Sequence, residues 1–141
     1  MSVTPIDAKQ RDRRETTLRA LLDAQNRHDV DAALACFAHP RYELVGNQRV
    51  YEGADEVRRY YATTFGACPD LAFELISTHH GDPSVVVEMW MSGSLLGSRH
   101  DFEATGKHFR CRMAGIFQFQ DTGLVGARIY YDTGTIARQL A

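Results

Sequence analysis

Glu88 and His39 are the side chains of this chain best suited to move a proton at a non-polar site. A carboxylate or an imidazole becomes an effective base when an apolar wall brings its pKa toward neutrality and holds it within hydrogen-bond reach of a substrate. Glu88 sits in the run Val85-Val86-Val87-Glu88-Met89-Trp90-Met91, whose alternation puts it on the same strand face as Trp90. If that face is the inner one, Glu88 is a general base; if it is the outer one, Glu88 is a surface or dimer-interface charge, while Trp90 either stacks on a planar ligand or is a buried core residue. His39 leaves a short helical segment after Phe37 and either contacts a ligand or closes the turn before Pro40.

Other chemistries have less support. Cys36, Cys68 and Cys111 are odd in number and widely spaced, which suits reduced thiols and a cytoplasmic protein better than a disulfide framework. Cys111, on an apolar strand face, would hold little thiolate and reads as packing. His79-His80 lies beside a turn with no third ligand at suitable spacing, so the pair is expected to face solvent, with no metal bound. Gly93, Gly97 and Gly106 are scattered and form no phosphate-binding loop. No cofactor is implied.

A chain of 141 residues, 44% hydrophobic and 24% charged, has the size and balance of one domain with one core, spanning residues 1–141. The formal charge of -2 argues against a nucleic-acid or anionic-membrane surface, which would select clustered Lys and Arg. Arg11, Arg13 and Arg14 form the densest basic group, but Asp12 and Glu15 interrupt it, so it reads as the solvated face of a helix. No apolar segment approaches the roughly 20 residues needed to cross a bilayer, and the polar start Met1-Ser2-Val3-Thr4-Pro5 lacks a signal peptide's hydrophobic stretch.

The elements that would position these residues follow from periodicity. Leu18, Leu21, Leu22 and Gln25 recur at helical spacing between about Asp7 and Arg27. Asp29 can cap a second helix through Ala32, Ala33, Leu34 and Phe37, which His39-Pro40 ends. Tyr42 to Val45 reads as a short strand, and Gly53 opens a third helix carrying Val57, Tyr60, Tyr61 and Phe65 until Gly66 and Pro69 stop it. From Leu71 the period becomes two, with antiparallel strands at about 71 to 78, 84 to 96, 107 to 120 and 124 to 132. Helices followed by a strand meander indicate an α+β fold.

On the long strand, Phe109, Cys111, Met113, Gly115, Phe117 and Phe119 point one way, and His108, Arg110, Arg112, Gln118 and Gln120 mostly point the other. On the next strand Val125, Ala127, Ile129 and Tyr131 form the corresponding inner set, leaving Arg128, Tyr130 and Asp132 outside. The inner sets line whatever cavity lies between sheet and helices. Tyr60 and Tyr61 straddle a helix face, and Tyr61, with Phe65 four residues on, is the one expected inside.

Three helices before a curved antiparallel sheet, Gly53-Ala54-Asp55-Glu56-Val57 opening the third helix, and Asp132 followed by Thr135 to Leu140 together resemble the SnoaL-like polyketide cyclases of the nuclear transport factor 2-like superfamily, over about residues 15 to 141. The resemblance implies a cone, three N-terminal helices packed on a strongly curved antiparallel sheet around a ligand pocket, and a homodimer formed through the outer sheet face. In similar cyclases a His on the long strand and an Asp on the last strand perform acid-base chemistry in an aldol closure. Aligning the Asp121-Thr122-Gly123 turn and the Arg138-Gln139-Leu140 tail puts Gly115 and Ile129 at those positions, neither of which moves a proton. Asp132 is turned away from Ile129 and reads as a cap. Limonene-epoxide-hydrolase relatives use an Arg-x-Asp on a strand, which Arg99-His100-Asp101 matches only in letters, in a loop.

Two functions remain open. In the first, the cone binds a small, largely apolar, polyketide-, steroid- or terpene-like molecule through Tyr61, Phe65, Trp90, Cys111, Met113, Phe117, Ile129 and Tyr131, with cyclase- or isomerase-type proton transfer by Glu88 or His39. In the second, the cavity is filled by its own side chains, and the outer face with Arg110, Arg112, Arg128 and Tyr130 pairs with another subunit.

Overall fold

The computed structural model describes residues 7–99 and 102–141. The polar start and His100-Asp101, and with them the second half of the Arg-x-Asp letters, lie outside the described residues. Helix α1 (Ala8–Asn26) begins at Asp7, whose carboxylate accepts from the Gln10 amide, and α2 (Val30–Ala35) begins at Asp29, which accepts from the Ala32 amide. Between them His28 takes a left-handed conformation, φ 55°, and the Asp29 amide reaches back to the Ala24 carbonyl at 2.9 Å, closing α1.

Strand β1 (Arg41–Leu44) passes through a 3-10 turn into β2 (Arg49–Glu52), and α3 (Gly53–Ala67) follows directly. Then come β3 (Ala72–His80), β4 (Ser84–Ser94), β5 (His108–Gln120), β6 (Gly123–Tyr131) and a closing helix α4 (Thr133–Leu140). Asp132 caps α4, accepting from the Gly134 amide at 3.0 Å and the Thr135 hydroxyl at 2.8 Å. Those bonds hold its carboxyl below the usual range, with the Thr135 hydroxyl as the largest cause.

The six strands form one curved sheet in the order β2-β1-β6-β5-β4-β3. Two expectations need correction. The sheet is mixed, because β1 runs parallel to β6, with Tyr42 opposite Ala127 and Leu44 opposite Ile129. All of α3, β3, β4 and β5 separates the two strands, so no tight turn forces an antiparallel approach. The helices number four among the described residues, and β2 is an additional edge strand whose mostly exposed residues carry no alternation to announce it.

The helix-facing side of the sheet carries Val85, Val87, Met89 and Met91 from β4 and Phe109, Cys111, Met113, Phe117 and Phe119 from β5, all buried. On β6 the buried residue near the turn is Leu124 in place of Val125. The register slips between Gln118 and Phe119, so Val125 is the extra residue of a bulge, and the strand changes face there.

The buried stripe of α1 is Arg14, Leu18, Leu21, Ala24 and Gln25. Arg14 is not on a solvated face, since it is 1% exposed. Its Nε donates to the Asp121 carbonyl at 2.7 Å, its Nη1 lies 3.1 Å from Asp82 Oδ1, and the guanidinium sits 5.2 Å from the Phe119 ring centroid. One side chain therefore fastens α1 to the β3–β4 and β5–β6 turns. His80 is likewise not solvent-facing: its side chain is largely covered and lies 3.5 Å from Glu15 of α1.

Replacing Arg14 by Ala leaves the Asp121 carbonyl unsatisfied and removes packing, an expected loss of about 2–3 kcal/mol. Asp82 is 43% exposed, so Asp82→Asn should cost under about 1 kcal/mol. Urea unfolding midpoints of the two variants check this, and equal small losses would show that Arg14 is no clamp.

Candidate functional site

Helices α1 and α3, strands β1, β4, β5 and β6 and one loop converge on an interior cavity between the helices and the sheet. Gln25 of α1, Tyr42 of β1, Tyr61, Thr64 and Phe65 of α3, Met89 and Met91 of β4, Met113 and Phe117 of β5, Ile129 and Tyr131 of β6, and Arg99 all line it. The wall is apolar and aromatic, with Tyr61 stacked on Phe65 at 5.4 Å between ring centroids. The open space is only about 20 Å³, room for about one water molecule. A second void of about 30 Å³ lies beside it under α1, and both are bordered by Gln25, Met89 and Phe117.

Inside this wall is a closed polar group. Gln25 Nε2 donates to the Tyr42 hydroxyl at 2.5 Å and to that of Tyr61 at 2.9 Å, and Tyr61 donates to Tyr42 at 3.1 Å. Burial pushes both phenols up from their ordinary value. They are neutral hydrogen-bonding groups at physiological pH and do not act as bases.

Arg99 reaches the cavity from the connection between β4 and β5. That connection is tied to the end of α3 by the Leu96 and Gly97 amides, which both donate to the Ala67 carbonyl, at 2.9 and 3.0 Å. A Cβ on Gly97 would come within 3.2 Å of the Ala67 Cα, so glycine permits the close approach. Arg99 and Phe102 exchange a reciprocal pair of backbone bonds at 2.9 and 2.6 Å.

Of the residues expected at the site, Tyr61, Phe65, Met113, Phe117, Ile129 and Tyr131 meet in this cavity. Cys111 is buried on the same strand face, outside the cavity lining, with its thiol pushed up to about 11 by burial. Trp90 and Glu88 do not face the interior, because β4 turns Val87, Met89 and Met91 inward and the residues between them outward. On the outer face Trp90 lies under the Arg110 guanidinium, 3.7 Å from its ring centroid, and Glu88 Oε2 is 3.6 Å from Arg112 Nη1. His39 is exposed and lies 2.6 Å from Glu52 Oε1. That contact, as the largest cause, lowers the Glu52 pKa. Neither residue expected to act as base reaches the cavity.

Gly115 and Ile129 are direct cross-strand partners facing inward. A Cβ at Gly115 would lie 2.5 Å from Phe117 Cε2 and 3.3 Å from Ile129 Cδ1. The Phe117 ring therefore fills the space that a larger side chain at Gly115 would need. Among the described residues lining the cavity there are hydrogen-bond donors but no carboxylate or imidazole. Sequence reasoning set Arg99 aside as an Arg-x-Asp match in letters only, and passed over Thr64 and Tyr42. Tyr42 was the most accessible of these, since its alternation with Leu44 put it on a buried face. Among the described residues no cluster of His, Cys, Asp and Glu could hold a metal ion.

Comparison with known proteins agrees with this architecture. A family model described as the SnoaL-like domain matches residues 18–126. No curated protein matches the chain in sequence. Among solved structures, a candidate polyketide cyclase from Xanthomonas campestris pv. campestris superposes with a TM-score of 0.80 at 20% identity, covering 94% of this chain and 99% of that one. A candidate SnoaL-like polyketide cyclase from Jannaschia sp. CCS1 gives 0.79 at 16% identity, with 99% and 96% covered. A nuclear transport factor 2-like protein from Burkholderia thailandensis E264 gives 0.73 at 23% identity, with 91% and 97% covered. At these identities the likeness is one of fold.

The buried phenols make stability pH-dependent. A tyrosine whose folded pKa is raised keeps its proton where the unfolded chain has lost it, so its contribution is complete below about pH 10 and disappears as pH climbs through the folded values. Absorbance at the tyrosinate band should show Tyr42 and Tyr61 ionising only together with unfolding, and Tyr61→Phe should remove one of the two late ionisations. Reversible titration of every tyrosine near pH 10 in the folded protein would contradict the buried triad.

Proposed function

The chain belongs to the SnoaL-like domain family, and from that premise we propose that it binds a small, largely apolar molecule, polyketide-, steroid- or terpene-like, inside the cone. The supporting observation is a wall of apolar and aromatic side chains from both sheet and helices that encloses a few inward-facing polar groups, the composition of a small-molecule site. Polyketide-cyclase candidates share the fold. The cavity as it stands is too small for such a molecule, so binding requires Phe117 and Met89 to change rotamer and join the two voids they border. Affinity is then reduced by the fraction of molecules in the open arrangement.

The reading is one of binding without the acid-base pair of the similar cyclases. Gly115 and Ile129 move no proton, and the described residues lining the cavity include no carboxylate or imidazole. Glu88 and His39 lie too far outside to serve this cavity, so proton transfer by either is not part of the proposal.

A second reading concerns the outer sheet face, where Trp90 is flanked by Arg110 and Arg112, and Tyr130 is 40% exposed. Tyr, Trp and Arg are the residues most enriched in protein interfaces. We infer a homodimer formed through this face, compatible with ligand binding on the other side of the sheet.

Two measurements separate these readings. A thermal-shift screen with polyketide, steroid and terpene-like compounds should find one that raises Tm by several degrees, since a ligand at one hundred times its Kd adds about 2.7 kcal/mol. Phe117→Leu should strengthen that binding by enlarging the void, and Phe117→Trp should abolish it in a protein that still melts cooperatively. A screen without a hit, or shifts indifferent to Phe117, would count against the cone as the site. For the second reading, analytical ultracentrifugation should show a dimer that Tyr130→Glu converts to monomer, and a monomeric wild type would reject it.

A further inference from the structure

We infer that Arg99 and Thr64 form an oxyanion-binding site at one end of the cavity, so that the ligand carries a carboxylate or an enolate oxygen on its apolar body. This inference rests on the binding reading above and specifies the ligand's chemistry. Arg99 is 7% exposed and Thr64 2% exposed, and both line the interior cavity. A guanidinium stays charged under all conditions in which the protein is folded. Among the described residues, the groups with the largest electrostatic effect on it are Tyr60, Tyr131, Cys68 and Tyr51, and Cys111 acts on it as well; none of these is a carboxylate. A buried cation is costly unless an anion meets it, and no described carboxylate lines the cavity beside Arg99.

Thr64 supplies the independent observation. Its Oγ1 is buried and has no hydrogen-bond partner. Within a helix a threonine hydroxyl ordinarily bonds back to a carbonyl of the preceding turn, and here it does not. The two residues are held to one frame, because Thr64 lies one turn before Ala67, whose carbonyl anchors the connection that carries Arg99. A planar anion can accept from the guanidinium fork and from the hydroxyl together, while its carbon skeleton meets Phe65, Met113 and Ile129.

The test compares 2-naphthoate with 2-naphthamide, which differ in charge and little in shape, by calorimetry and thermal shift on the full chain. Wild type should bind the acid about tenfold or more tighter than the amide. Arg99→Met should erase that preference while leaving amide binding in place, Arg99→Lys should keep part of it, and Thr64→Val should weaken acid binding several-fold. Without any ligand, Arg99→Met should melt at or above the wild-type temperature, because it removes a buried charge that no described carboxylate meets; a marked fall would make Arg99 a structural residue and overturn the inference. Equal binding of acid and amide by wild type would overturn it too, with the cone still standing as a binding site. Binding of neither compound by wild type or by Phe117→Leu would count against both.

Discussion

The guanidinium of Arg14 fixes α1 against the sheet by meeting, in one buried place, a carbonyl from the β5–β6 turn and a carboxylate from the β3–β4 turn. Everything that α1 presents inward takes its position from that attachment. Leu18 and Leu21 then border the apolar side of β4 and β5, and Gln25, about three turns on from Arg14, arrives where Tyr42 and Tyr61 need a shared partner. The stripe thus has a polar anchor at each end and hydrocarbon between. A helix held only by its leucines could slide or rotate on the greasy sheet; the two polar ends set its register.

The interior built this way separates hydrogen-bonding capacity from proton-transfer capacity. Phenols that burial keeps protonated, an amide and a guanidinium all stabilise oxygen atoms, and none accepts a proton near neutrality. The ring of Phe117 over Gly115 makes this a property of shape as well as composition, since no bulkier residue fits at that position unless the ring moves. The arrangement suits recognition of an oxygen-bearing apolar molecule.

Much of this was readable from residue order, and the failures have identifiable causes. The alternation from Phe109 to Phe119 placed Met113 and Phe117 inside, and Asp29 and Asp132 were recognisable as caps. Alternation states which residues share a face and not which face is buried, so Trp90 and Glu88 could be paired without being placed. The signal that decides it was nonetheless present, because Val85, Val87, Met89 and Met91 make an unbroken apolar face and the opposite side contains a carboxylate. Val125 was misplaced because a bulge shifts the register by one residue, a feature that periodicity averages away. Arg14 and Arg99 escaped for another reason: their burial depends on groups brought near them by distant parts of the chain, and local sequence carries no record of that.

The parallel pairing of β1 with β6 sets the order in which the molecule can be assembled. Tyr42 and Leu44 find their partners at Ala127 and Ile129, so an early strand must wait until the last one has been made and has joined its own hairpin. Until then β1 and β2 form a two-stranded ribbon with an open edge, marginal alone and able to pair with a neighbouring chain. Contacts this remote in sequence slow folding, and the vulnerable interval falls in the nascent first half, which synthesis at high concentration would expose most.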